Sequence, residues 1–334
     1  MPPDPSFNSI IVRLTALWAL CESGLGGWMH ALRLPFTGFF VGGAAVMIIS
    51  LIAYHSSNKS RDILRATLLV IAIKAAVSPH SPPPAYLAVA FQGVLGAFIF
   101  SLPRPLAAYL FGMLSMLESA WQKIITATIL YGKSLWQATD ILFASILKDF
   151  HFAPDTSYSS WIIGAYSLIY MIWGLVLGHW MIRLPAQIEK HAAVLGQLRV
   201  NLPVHQVPRH KKRHFLYKWI PVFLSLLVIA AVFLFVPGKN QVAVYVVLRT
   251  IAILAVFLFV VRPLFSWIMH RWLRKAGSIH AAELREITDM LPELRSHMLP
   301  AYQIAKMEKG AIRQFRLFIL GMIVFTLILS DERR

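Results

Sequence analysis

The sequence predicts an all-α polytopic membrane protein, and three observations carry that prediction. Of the 334 residues, 57% are apolar and only 14% charged, where average soluble domains carry about 25% charge. Mean hydropathy is +0.63. The apolar residues gather into nine runs that approach the roughly 20 residues needed to cross a hydrocarbon core of about 30 Å. None alternates with period two as a barrel strand does, and backbone groups in lipid must bond internally, so the runs are helices. A single cysteine, Cys21, excludes a disulfide scaffold, and the apolar content excludes a disordered chain.

The first run covers 10–29. Its one basic residue is Arg13, near its start, no small-residue cleavage site follows, and Leu20 before Cys21 makes a poor lipobox, so it reads as a retained helix rather than a signal peptide. Runs at 36–54, 64–79 and 86–102 follow. The run at 106–130 is the least regular, and it leads into an amphipathic stretch, Ser134–Phe150, suited to lying along a membrane surface. A sixth run covers 158–182; a pair at 216–236 and 243–262 is joined by Pro237-Gly238-Lys239-Asn240, and the last run is 314–330. No tandem repeat is visible, so inverted-repeat transporters gain no support. Between the sixth and seventh runs, Pro185, Pro203 and Pro208 interrupt a segment carrying Lys211-Lys212-Arg213. Such a run suits phosphate or nucleic acid, or an anchor on anionic lipid. The Phe215, Tyr217 and Trp219 that lead into the next span favour the lipid anchor and leave nucleic acid unneeded. Beyond 262 come about 50 residues of amphipathic helix, with breaks expected at Ala276-Gly277 and at Leu291–Ser296. The chain thus divides into a six-helix membrane domain (1–183), a basic linker (184–215) and a carboxy-terminal part (216–334) holding cytoplasmic helices at 264–312.

The chain carries 32 Lys and Arg against 15 Asp and Glu, a formal charge of +17. Positive charge in a membrane protein usually sets orientation. Seven basic residues lie in 184–218 and ten in 262–316, which predicts both segments, and by span counting the amino terminus, to be cytoplasmic. The same choice puts Lys59, Arg61, Arg65 and Arg104 inside. It leaves outside the charge-free loop Ser78–Ala85, open to reading as a lid or as a rigid turn.

Ionisable residues inside spans are costly unless paired or lining a cavity. In this topology Glu22, Trp28, His30 and Arg33 of the first span, Lys74 and Ser78 of the third, Gln92 of the fourth, and Glu118, Gln122 and Lys123 of the fifth all fall in the outer half of the bilayer. Ser115, Glu118 and Gln122 share one face by their spacing. One reading is an outward pocket in which Arg33, Lys74 or Lys123 meets an anionic group of a small-molecule solute and Trp28, Trp121 or Phe91 stacks on a flat one. The other is internal neutralisation, Glu22 with Lys74 and Glu118 with Lys123. Small residues at Ala19, Ser23 and Gly27, at Gly38 and Gly42, and at Gly174 and Gly178 mark close helix contacts.

Catalytic machinery is not legible. There is no phosphate loop, no H-E-x-x-H, no G-x-S-x-G and no metal-ligand spacing among the histidines, so the sequence predicts no enzyme, no metal site and no cofactor. The apolar stripe Leu284, Ile287, Met290, Leu291 and Leu294, with basic Arg271, Arg274, Lys275, Lys306 and Lys309 nearby, reads either as a docking surface for another protein or as a hairpin folded on its own bundle.

Residues 10–183 resemble the substrate-binding component of energy-coupling-factor vitamin transporters. The likeness rests on six spans with both ends inside, the Ala19, Ser23, Gly27 stripe, polar residues toward the outer half, and the local strings Trp28-Met29-His30-Ala31-Leu32-Arg33-Leu34-Pro35-Phe36-Thr37-Gly38 and Lys74-Ala75-Ala76-Val77-Ser78-Pro79. Residues 216–330 look like a shortened transmembrane coupling component. Arg274-Lys275-Ala276-Gly277 and Lys306-Met307-Glu308-Lys309-Gly310 are the strings nearest to its ATPase-gripping Ala-Arg-Gly motif, and neither is that motif. The resemblance implies a multi-pass subunit of a bacterial-type inner membrane. It would capture a vitamin-like, anionic solute from outside, contact membrane lipid, and work with cytoplasmic ATPases, another membrane subunit being a further candidate partner. The alternative is a membrane scaffold or assembly subunit whose intramembrane charges are structural pairs.

Overall fold

The computed structural model describes residues 9–25, 37–78, 81, 83–148, 157–200, 227 and 240–328; among these the regular structure is helical, with no strand. In chain order the helices are α1 (Ser9–Leu20), α2 (Thr37–His55), α3 (Lys59–Val77), α4 (Pro83–Ile99), α5 (Arg104–Tyr131), α6 (Lys133–Lys148), α7 (Tyr158–Val200), α8 (Asn240–Val256), α9 (Arg262–Ile279), α10 (Ala281–Ser296), α11 (Met298–Lys306) and α12 (Ala311–Ile328). Single π turns follow α1 at Cys21–Leu25 and α8 at Phe257–Val261.

Local signals explain the starts. Asn58 accepts the Arg61 backbone N–H at 3.3 Å to open α3, and Pro83 opens α4, where its missing N–H costs nothing. Three helices are long and apolar enough to cross a membrane: Gly38–His55, Tyr158–Ala192 and Val244–Met269; Pro83–Ile99 is apolar but shorter. The nine-span expectation therefore holds only as a set of helices. Lys59, Arg61, Asp62, Arg65 and Lys74 dilute α3, α1 has 12 residues, and the run at 216–236 lies outside the described residues save Leu227. Of the three, α2 is a core helix, with 72% of its apolar window buried, whereas the other two windows are 22% and 11% buried. Apolar faces left that open, with Trp161 and Phe259 more than two-thirds exposed, fit a hydrocarbon surround rather than water.

Three expected breaks fall elsewhere. Helix α7 runs through Pro185, α9 continues through Ala276-Gly277 and stops before His280, and α10 carries Pro292 internally and ends before His297. Each is a place where helix packing outweighs a local breaker.

The helices cluster into two compact units. One comprises 1–119, 170–207 and 269–334, the other 120–169 and 208–268. In the first, α3 and α4 form an antiparallel hairpin: Lys59 Nζ donates to Phe100 O and Ser60 Oγ to Ala97 O at one end, and Lys74 Nζ to Ala85 O at the other. Helix α1 lies parallel to α3, and α12 runs antiparallel to α1, its Leu327 carbonyl accepting from Arg13 at 3.3 Å. At the opposite end Phe315 of α12 meets Phe40 of α2, ring centroids 5.2 Å apart. Close crossings are built on glycine. A Cβ on Gly174 would strike the Gly112 carbonyl, and one on Gly178 would stand 2.9 Å from Tyr109 Cα. The two backbones of α5 and α7 therefore touch, as expected of small-residue interfaces in lipid. Beside them Trp173 stacks on Phe39 at 4.4 Å and donates its Nε1–H to the Phe39 carbonyl at 3.2 Å.

The carboxy-terminal helices belong to this same unit. Ile287, Leu291 and Leu294 of α10 are buried, the helix lies against α1 and α3, and Glu283 accepts a two-pronged ion pair from Arg65. The apolar stripe is thus covered by the chain's own bundle, and the surface left outward is Arg285, Glu286, Asp289 and Arg295. Helices α11 and α12 pair as a hairpin, Ala301 against Gly321 and His297 against Phe325. A single-sided placement of 262–316 would require all of it to lie at one end of this unit. Glu283 meets Arg65 toward the end marked by Arg13 and Leu327, while the turn Met307–Gly310 leads into Phe315 at the end marked by Glu22 and Lys74. Charge counting treats 262–316 as one loop and cannot see a hairpin that crosses back.

In the second unit, Tyr131, Ala138 and Val246 form a small core. Gly132 takes φ +73° and donates its N–H to Thr128 O at 2.8 Å, closing the end of α5 with a left-handed residue. Asp140 caps α7 from a distance, accepting the Ser159 N–H at 2.6 Å and its hydroxyl at 3.1 Å.

Candidate functional site

Two polar centres lie within the first unit. The first is an ion pair. Glu22 sits in the π turn after α1, and Lys74 in the last turn of α3; their side chains are 7% and 5% exposed and 2.6 Å apart. The ammonium also donates to Ala85 O at 3.0 Å and lies 5.6 Å from the Tyr86 ring. With a carboxylate, a carbonyl and an aromatic face already on it, Lys74 has little left to offer a solute anion. Ser78 closes α3, its N–H donating to Lys74 O at 2.8 Å, its hydroxyl 3.1 Å from Ser81 Oγ and its carbonyl accepting from Tyr86 at 3.3 Å. Ser78, Ser81 and Tyr86 are thus tied to one another beside the pair.

The second centre is unsatisfied. Around Gly42 of α2, the point where a Cβ would stand is 3.3 Å from Gln92 Nε2 of α4 and 3.3 Å from Ser119 Oγ of α5. Ser115, Glu118 and Ser119 occupy one face of α5 by their i, i+3, i+4 spacing. Gln92 is 2% exposed, Ser115 0% and Ser119 6%. Among the described residues Gln92 Oε1, Ser115 Oγ and Glu118 Oε2 are buried and have no hydrogen-bond partner. Buried polar atoms are normally satisfied, and a lost partner costs about 1–3 kcal/mol each. Three orphaned polar atoms on α4 and α5 therefore single out these side chains as a candidate site. Gly42 makes the room, since even a methyl there would press on both side chains.

The other expected solute residues are not drawn into these centres. Gln122 and Lys123 continue α5 into the second unit as half-buried residues. Trp28, His30 and Arg33 lie outside the described residues, as does Gly27 of the small-residue stripe. Ala19 is fully buried, and Ser23 donates its hydroxyl back to Ala19 O at 2.6 Å. Of the expected docking residues, Arg274, Lys306, Lys309 and Gly310 are exposed, and Gly310 has φ +102°, the left-handed turn that leads into α12. Lys275 and Gly277 fall within α9.

Sequence reasoning overlooked two residues. Ser119 is one, although its spacing from Ser115 could have found it. Arg249 is the other, an arginine inside the apolar run at 243–262 and so a candidate by the same rule applied to Glu118. Its guanidinium lies over Gly132, where no side chain could stand. A cation there faces the carbonyl end of α5, which the helix dipole favours.

A separate cavity of about 50 Å³ between α1, α2, α11 and α12 is lined by Leu17, Leu20, Phe40, Phe315 and Met322 among others. Of the expected solute residues that are described, none lines it. No family model, no curated protein and no solved structure matches the chain.

Proposed function

We propose that the chain is a membrane transport subunit that binds a small polar solute at the α2, α4 and α5 cluster and relies on separate ATPases for energy, the scheme that its resemblance to energy-coupling-factor vitamin transporters implies. The observation that carries the reading is the set of three buried polar atoms without partners, Gln92 Oε1 on α4 and Ser115 Oγ and Glu118 Oε2 on α5, the two helices whose Gln92 and Ser119 flank Gly42. Acceptors select a solute that donates hydrogen bonds or carries positive charge, so the reading departs from the anionic solute that the basic residues suggested. Lys74, held by Glu22, becomes scaffolding for the end of α3 and α4.

Partner contact falls to surfaces the chain leaves outward: Arg285, Glu286, Asp289 and Arg295 on α10 and Lys306 to Gly310 at the turn. The site of action in this reading is a bacterial-type inner membrane. Thermal-shift screening of the purified protein in detergent against water-soluble vitamins, amines and amides tests it. A hit lost in Glu118→Gln and Ser115→Ala but kept in Thr288→Ala, an exposed position, supports the site. A hit that survives both site variants defeats it. The second reading, a non-transporting scaffold, is favoured by the Glu22–Lys74 pair itself, which knits two helices and leaves no charge for a ligand.

A further inference from the structure

We propose that the turn between α4 and α5 holds the headgroup of an anionic phospholipid, with Lys59 and Arg104 as the groups that grip its phosphate. The turn brings both cations to one place. Lys59, the first residue of α3, donates its Nζ to Phe100 O at 3.1 Å, and Arg104, the first residue of α5, closes the same turn. Arg104 is itself held on two sides: its guanidinium carbon lies 4.6 Å from the centre of the Tyr54 ring, and its Nη2 donates to Ile182 O at 3.3 Å. Both residues are exposed. A carbonyl and an aromatic face fix a cation in position but leave its charge standing, and most of its N–H donors uncommitted. Among the described residues neither cation is in an ion pair. The acid nearest to Lys59 in the chain, Asp62, is buried and takes the Ser56 hydroxyl at 2.5 Å. Two positioned charges without a counter-charge are prepared for an anion.

The surroundings select a lipid over a free ion. Apolar side chains on and beside the turn are left open: Phe98 is 74% exposed, Leu106 51% and Leu102 39%. Such side chains suit acyl chains, and cations at the ends of membrane helices sit at the level of the headgroup phosphates. A phosphate there gains charge-assisted hydrogen bonds from a planar fork and from a point charge. A zwitterionic headgroup brings its own cation to the same place, so a lipid of net negative charge fits better. The site uses none of Gln92, Ser115 and Glu118, and it holds whether or not a solute binds at them.

The test compares melting temperatures of the full-length protein in micelles of a neutral detergent doped with phosphatidylglycerol or phosphatidylcholine, and in undoped micelles with inorganic phosphate. A ligand that binds only the folded state raises the melting temperature as its site fills. The expected result is a saturable rise with phosphatidylglycerol that neither phosphatidylcholine nor inorganic phosphate reproduces. Lys59→Gln and Arg104→Gln should each raise the half-saturating phosphatidylglycerol content by about five-fold, the share of one cation at an anionic surface. Arg61→Gln removes the same charge from an exposed position two residues along α3 and should leave the response unchanged. Equal rises with the two lipids overturn the proposal. So does a loss as large in Arg61→Gln, which would mark a diffuse attraction, and so does a rise matched by inorganic phosphate, which would assign the turn to a free anion. Should the variants fold poorly, the wild-type protein is exchanged into micelles holding both lipids in equal amounts and its retained lipid is counted. Enrichment of phosphatidylglycerol supports the site, and equal retention overturns it.

Discussion

At the scale of single residues, the molecule separates two kinds of intramembrane charge that look alike in the sequence. Lys74 and Glu22 are 52 positions apart, and nothing local says that they meet; they do so because α1 and α3 run parallel and end at the same level. Breaking one half of such a buried pair leaves an uncompensated charge, at a cost of roughly 3 kcal/mol or more, whereas removing both charges is far gentler. Lys74→Met should therefore lower the unfolding midpoint clearly, and Glu22→Gln with Lys74→Met should restore most of the loss, read by denaturant melts in micelles. A silent Lys74→Met would mean that the pair is ornamental. Glu118 is the contrasting case, because no protein group compensates its buried oxygen among the described residues. All three residues were legible as candidates from the rarity of charge in apolar runs, but that Glu22 and Lys74 pair while Glu118 Oε2 finds no partner was not.

At the scale of elements, glycine decides which helices touch. Gly112 and Gly174 face each other backbone to backbone, and a Cβ on Gly93 would fall on the Thr67 side chain, so α5 with α7 and α3 with α4 approach as closely as helices can. Gly164, on the same helix as Gly174, has nothing within 4 Å of its Cβ position. Gly174→Leu should thus destabilise the protein by about 1–3 kcal/mol or more through overpacking, while Gly164→Leu should leave its thermal midpoint unchanged; equal effects would refute the crossing. The pairing of Gly174 and Gly178 as a contact stripe was readable from their spacing. Their partner was not identified, although Ala108 stands four positions before Gly112 and lies in the same crossing against Gly178. Pro185 and Pro292 mislead in the other direction: each is a breaker by propensity and each lies inside a helix, since packing of the flanking turns outweighs one lost hydrogen bond.

At the scale of the whole chain, orientation is where charge counting and packing diverge. Counting places Ser57 and Lys309 on one side of the membrane, while the helix hairpins put them at opposite ends of the first unit. Single cysteines at these two exposed positions, in a Cys21→Ser background, should react with a membrane-impermeant maleimide from opposite faces of sealed vesicles. Labelling of both from the same face would restore the single-sided topology and dismiss the α11–α12 hairpin as a membrane element.

The sequence by itself determined the class of molecule. Apolar runs of helical length, little charge and one cysteine predict a helical chain with helices apolar enough to cross a membrane, because hydrophobicity and backbone hydrogen bonding are local and additive properties; among the described residues three helices meet that measure. Orphaned acceptors, glycine crossings and the Glu22–Lys74 pair were decided only by tertiary structure. Each depends on which helix lies beside which, and at what level. The apolar stripe of α10 makes the same point: its periodicity announced a buried face, but only the fold revealed that α1 and α3 cover it.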